Sequence, residues 1–172
     1  FSLIKSNINN DNVKKIYITA SGGPFYFKKI ENFNNVDLSE VLNHPKWKMG
    51  INNLIDSSNF INKLLEIYEL SSIFNIDLDK IDFLVSQNAY VHSVVIYYDN
   101  TISVNCFNND MLITLTNPLY VFYDLNIGRL KNNKLFNINN FNLEIFKDKR
   151  FKISRYLKVL KNLNHFQQIE FM

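Results

Sequence analysis

Cysteine is nearly missing from this chain: Cys106 is the single one in 172 residues. That excludes an internal disulfide framework and any cysteine-built metal site, and it points to a reducing compartment with Cys106 as a small core residue. Long apolar runs are missing too. None approaches the ~18 residues needed to cross a bilayer, and Phe1-Ser2-Leu3-Ile4-Lys5 is neither a signal nor a transit peptide, so no membrane partner is expected. Charge of one sign is not in excess, with 19 basic against 16 acidic residues for a net +3. Scattered charge of that size excludes a nucleic-acid-binding face, which shows clustered Lys and Arg, and leaves room for an anionic substrate. Glycine (4) and proline (3) are scarce, and Trp47 is the only tryptophan.

What is present is a hydrophobic fraction of 47% with 20% charge, enough for one globular domain with a sizeable core. Asn, Lys, Ile and Phe are abundant, as in AT-biased coding, so residues that escape the bias carry more weight. A start at Phe1 instead of Met leads us to expect a piece of a longer protein.

Lys14–Ala20 (KKIYITA) has the β-branched content of a strand and delivers the turn Ser21-Gly22-Gly23-Pro24, whose glycines permit positive φ and close backbone approach. Asp37-Leu38-Ser39-Glu40 opens a short helix that must end before His44-Pro45. From Asp56 the pattern predicts one long amphipathic helix, with apolar Phe60, Ile61, Leu64, Leu65, Ile67, Leu70, Ile73 and Phe74. Strands are expected over 81–85, 90–98 and 101–107, the last two joined as a hairpin at Asp99-Asn100. Asn117-Pro118 marks a loop or a helix start and Asn132-Asn133 a turn, 135–146 alternates as a further strand or strand pair, and 151–163 closes as a helix. The fold class expected is α/β of the α+β type: a mixed sheet with helices packed on it.

On the predicted long helix, Asn62, Lys63 and Glu66 converge at i, i+1 and i+4, bringing together an amide, an ammonium and a carboxylate. From spacing alone this is a solvated face with a weak Lys63–Glu66 pair. Asp56-Ser57-Ser58, placed at the helix start, offers hydroxyls and free N–H groups where an anion is favoured, although Ser57 also suits a plain cap. Ser21-Gly22-Gly23 adds a hydroxyl and N–H donors but is too short for a Walker loop and lacks a dinucleotide spacing. His92, inside an apolar strand, reads as a hydrogen-bonded core histidine, and His165 is uninformative. Trp47 either plugs a core edge or belongs to a lid. Glu66 alone cannot hold a hard divalent cation, which needs several oxygen ligands.

Taken in order, Ala20-Ser21-Gly22-Gly23-Pro24-Phe25, His44-Pro45-Lys46-Trp47-Lys48-Met49-Gly50, Asp56-Ser57, Asn62-Lys63 and Glu66 resemble the successive signature blocks of 1-deoxy-D-xylulose 5-phosphate reductoisomerases. The likeness continues through Val91-His92-Ser93 with Asp99, Asp110-Met111 and Leu135-Phe136. The resemblance implies that Ser21, Ser57, Asn62 and Lys63 bind the substrate phosphate and that Glu66 ligates the metal. It makes His44 a substrate contact and Trp47 and Met49 parts of the lid. His44, Lys63 and Glu66 are the catalytic candidates, and Gly50 is the one candidate cofactor contact. The family rearranges 1-deoxy-D-xylulose 5-phosphate and reduces the product with NADPH to 2-C-methyl-D-erythritol 4-phosphate, in isoprenoid precursor synthesis. The implied cofactors are therefore NADPH and Mg²⁺ or Mn²⁺, with Co²⁺ as a further option, and the metal acts as a Lewis acid on the substrate carbonyl.

The same resemblance implies a homodimer acting on a sugar phosphate, in bacterial or endosymbiont cytoplasm, or in a plastid or apicoplast if the source is eukaryotic. Family members carry an upstream NADPH-binding domain and an acidic segment with further metal ligands, so no activity is expected from this portion alone. Residues 1–146 are expected to form the central catalytic domain and 147–172 a helical segment leading to a C-terminal domain. Departures from the pattern are Ile51-Asn52 for a basic pair, Leu64 for glycine, Ser86-Gln87 for His-Pro, and Asn109-Asp110-Met111-Leu112 for Pro-Asp-Met-Arg. They keep open an alternative: a non-catalytic remnant serving as a dimerising scaffold or sugar-phosphate-binding domain.

Overall fold

Strand β1, Val13–Ala20, alternates in burial, with Val13, Ile16, Ile18 and Ala20 turned inward. That is the period-2 pattern of a strand covered on one face. The computed structural model describes residues 8–42, 50–110, 113, 116, 141–146 and 151–172. Among these, β1 is followed by a 3₁₀ segment Ile30–Asn35 and the helices α1 (Leu38–Leu42), α2 (Ile51–Ser58) and α3 (Ile61–Phe74). A 3₁₀ turn Leu78–Lys80 leads into β2 (Ile81–Val85), β3 (Val91–Tyr97) and β4 (Ile102–Cys106). Then come β5 (Glu144–Ile145), α4 (Ile153–Asn162) and α5 (His165–Phe171).

The five strands form one mixed sheet in the order β4-β3-β1-β2-β5, with β1 and β2 parallel and the other pairs antiparallel. The expected α/β class with helices on a mixed sheet is what the chain adopts. The register aligns Ala20 with Val85 and Val85 with Glu144, so the carboxyl ends of β1 and β2 and the start of β5 lie at one end of the sheet. Open α/β sheets bind ligands outside the carboxyl ends of their strands. The β3–β4 hairpin turns at Asp99-Asn100 as expected: Asn100 takes φ 66°, and Asp99 Oδ1 accepts from Thr101 N (2.8 Å) and Thr101 Oγ1 (2.7 Å). Those bonds hold the Asp99 carboxyl below its usual pKa.

The core lies between one sheet face and α3 and α4, and joins Ile16, Ile18, Ile81, Phe83 and Val85 to Leu64, Ile67, Leu157 and Leu160. No helix among the described residues is long and apolar enough to cross a membrane.

The expected single helix from Asp56 is corrected: α2 ends at Ser58 and α3 begins at Ile61. Between them Phe60 adopts φ 67° and is buried to 1% exposure. Its ring lies 4.7 Å from that of Phe146, 4.9 Å from Phe151 and 5.7 Å from Phe83. A left-handed non-glycine residue costs ~1–2 kcal/mol. Burying a phenylalanine contributes ~1.5–3 kcal/mol, and each aromatic pair adds ~0.5–1.5 kcal/mol. Packing therefore outweighs the backbone cost, and the break follows from tertiary contacts instead of a local Gly or Pro. Asn59 assists, its Oδ1 accepting from Ile61 N at 3.0 Å.

Candidate phosphate-binding site at the carboxyl end of the sheet

The first turns of α3 carry Asn62 and Lys63, with Glu66 on the next turn, and the spacing brings their side chains together as expected. Lys63 Nζ donates to Glu66 Oε1 at 2.8 Å and Oε2 at 2.7 Å, and Asn62 Nδ2 donates to Glu66 Oε1 at 2.5 Å. The ammonium is the more shielded partner, its side chain 17% exposed against 37% for Glu66. The start of α3 carries the positive end of the helix dipole, which favours an anion beside Asn62 and Lys63, with the Ile61 and Lys63 amides already bonded to Asn59 Oδ1 and Phe60 O, each at 3.0 Å.

Ser57 is not where the helical pattern put it. It lies in the last turn of α2, where carbonyls instead of amides are free, and its Oγ donates to Asn53 O (2.6 Å) and Leu54 O (3.2 Å). The helix start in this region is therefore that of α3, with Ser57 in the turn that leads to it. Gly23, at φ +67°, packs so tightly on α2 that a Cβ there would stand 2.9 Å from Ser57 O. The turn after β1 is thereby seated on the α2–α3 junction, bringing the Ser21 loop and Ser57 to the start of α3. Gly22, at φ +102°, is covered by Tyr26, whose Cγ would lie 2.9 Å from an added Cβ.

His44, Trp47 and Met49 lie outside the described residues. Gly50 caps α2 with φ −62° and has open space around it, so no close approach there demands glycine. His92 is hydrogen-bonded as expected but half-buried instead of in the core, with Nε2 3.2 Å from Phe107 O and its ring stacked 3.5 Å from that of Phe107. Burial lowers its pKa. The Phe107 carbonyl opposes that shift, and the charge of Lys63 adds to it.

Comparison with known proteins shows which family the chain resembles. Residues 1–74 match the family described as the 1-deoxy-D-xylulose 5-phosphate reductoisomerase C-terminal domain. The 1-deoxy-D-xylulose 5-phosphate reductoisomerase of Pelagibacter ubique is 34% identical over 96% of the chain and 41% of the relative. That of Clostridium acetobutylicum is 42% identical over 67% of the chain and 30% of the relative. The chain belongs to the 1-deoxy-D-xylulose 5-phosphate reductoisomerase family.

The chain thus spans well under half the length of these reductoisomerases. Among solved structures, a DOX-P reductoisomerase in complex with NADPH, fosmidomycin and magnesium superimposes with a TM-score of 0.80 at 26% identity, over 93% of this chain and 39% of that one. The reductoisomerase from Zymomonas mobilis in complex with NADPH gives 0.71 at 27% identity, over 87% and 38%.

Two departures from the reductoisomerase pattern sit where the fold absorbs them. Leu64, in place of glycine, is 3% exposed in the core. Ser86, in place of histidine, is fully buried, with its N–H donating to Ala20 O at 2.8 Å. Sequence reasoning missed Gly23 as the contact to Ser57, and it missed Tyr26, Gln87 and Glu144 beside the loop.

Proposed function

We propose that this chain is the central catalytic part of a reductoisomerase that converts 1-deoxy-D-xylulose 5-phosphate to 2-C-methyl-D-erythritol 4-phosphate for isoprenoid precursor synthesis. The observation that carries the reading is the convergence of Asn62, Lys63 and Glu66 at the start of α3, with the Ser21 loop seated on Ser57 beside it. Ser21, Ser57, Asn62 and Lys63 would hold the substrate phosphate, His44 would contact the substrate, and Trp47 and Met49 would close over it.

Lys63 and Asn62 both donate to Glu66. A phosphate dianion arriving at Lys63 would draw these donors away and leave the Glu66 carboxylate free. Phosphate binding and exposure of Glu66 would thus be one event, spending remote binding energy on arranging the reacting end.

The described residues do not form a divalent-cation site by themselves. Glu66 is one carboxylate where such a cation takes about six oxygens, and among the described residues no group of three or more His, Cys, Asp or Glu is placed to hold a metal. Nor do they contain a glycine-rich dinucleotide cradle. NADPH and the rest of the magnesium or manganese sphere would come from outside them, so the described residues account for phosphate binding and not for turnover. Two copies would pair through the β4 edge, which exposes Ile102 and Val104. The cytoplasm of a bacterium or endosymbiont, or a plastid, fits the single thiol.

The test is to express the chain with the coding sequence that precedes Phe1 and follow NADPH oxidation with 1-deoxy-D-xylulose 5-phosphate and magnesium or manganese. Turnover that Lys63→Ala abolishes is expected. A folded product without turnover would contradict the reading.

A further inference from the structure

We propose that Glu144, braced by Gln87, is a positioning residue for the Ser21–Gly23 loop, holding it in its phosphate-binding shape through Tyr26. The inference rests on the phosphate-pocket reading of that loop. Glu144 opens β5 opposite Val85, which is itself aligned with Ala20, so its side chain stands at the end of the sheet where the loop leaves β1.

Both carboxylate oxygens are engaged there. Oε2 accepts from the Tyr26 hydroxyl at 2.8 Å, and Oε1 accepts from Gln87 Nε2 at 3.0 Å. The Tyr26 ring in turn lies directly on Gly22, at a contact that leaves no room for a Cβ. Gly23 is fixed from the other side by Ser57 O. The loop is thus clamped between α2 and the Tyr26 ring, and the carboxylate anchors the hydroxyl end of that ring, whose body packs on Phe27 and the core.

Two charge-assisted hydrogen bonds to one carboxylate are stronger than bonds between neutral groups and have a defined direction. Without them the Tyr26 ring loses the anchor on its hydroxyl, and a glycine pair at positive φ has many other conformations available. The expected cost is in the ordering of the loop amides around an anion, with the fold itself retained.

The chain has 4 glycines, so [¹⁵N]glycine labelling yields a spectrum of four backbone amide signals, two of them from Gly22 and Gly23. Titration with inorganic phosphate should shift both in the wild-type chain. Glu144→Ala and Tyr26→Phe should each displace the Gly22 signal before phosphate is added and weaken phosphate binding by about tenfold. Tyr26→Phe keeps the ring and removes one hydroxyl, so its effect does not depend on whether Glu144→Ala folds well. Glu144→Gln retains a carbonyl oxygen for the Tyr26 hydroxyl and should restore most of the affinity. A phosphate-responsive chain in which neither Glu144→Ala nor Tyr26→Phe changes the Gly22 signal or the affinity overturns the positioning role alone. Wild-type Gly22 and Gly23 signals that ignore phosphate overturn the pocket reading on which it rests.

Discussion

Gly23 and Ser57, 34 positions apart, are in backbone contact, since a Cβ on Gly23 would stand 2.9 Å from the Ser57 carbonyl oxygen. The contact joins the turn after β1 to the junction of α2 and α3, and so brings two signature blocks together. Gly23→Ala combines a steric clash with a left-handed φ, so it should cost ~1–3 kcal/mol of stability and displace the loop. Urea unfolding and phosphate titration together check this. Wild-type values in both would show that the junction yields.

Lys63 separates binding from stability. Its pair with Glu66 spans one helical turn and is partly exposed, so Lys63→Ala should change folding stability by no more than ~0.5 kcal/mol. Affinity for phosphate should nevertheless fall at least ~tenfold, because a charged donor is lost. A variant that unfolds early, or that binds phosphate as well as wild type, contradicts this assignment.

His92 gives the chain a pH dependence of definite sign. Its pKa in the folded state is lowered, mainly by burial, below the ordinary histidine value of about 6.5. The unfolded chain therefore takes up a proton at a pH where the folded chain does not. Stability is retained above about pH 6.5, falls as pH drops through that value, and levels off once the folded-state pKa is passed. His92→Gln, which can keep a donor toward Phe107 O, should flatten that segment of the profile. Equal slopes in the two proteins would place the titration elsewhere.

Phe60 is the residue that breaks the helical run. Phe60→Ala removes a buried ring in contact with three others, and should cost ~3–5 kcal/mol in urea unfolding with an unchanged m-value. A loss below ~1 kcal/mol would mean that the aromatic cluster is not what places α3.

Features set by local chemistry were legible in the sequence. β2 has the bounds its apolar run indicated, β1 and β3 agree to within one residue at each end, and the Asp99-Asn100 turn was readable from its residue types. The meeting of Asn62, Lys63 and Glu66 followed from helical spacing. Features set by contacts distant along the chain were not legible. The α2–α3 break depends on Phe60 meeting Phe83, Phe146 and Phe151, and locally only Asn59 assists it, with no Gly or Pro at the junction. Ser57 was assigned to the phosphate pocket by family pattern while its helical position was misjudged. The Tyr26–Glu144 bond joins residues 118 positions apart.

Under the proposed function, Lys63 and its neighbours form the phosphate pocket of a reductoisomerase. The most direct measurement is titration calorimetry of fosmidomycin, a phosphonate, with magnesium, into the chain expressed with its preceding coding sequence. Saturable binding that Lys63→Ala weakens at least ~tenfold is the predicted result. A folded protein that binds no fosmidomycin, or binds it equally well without the Lys63 ammonium, would contradict the claim.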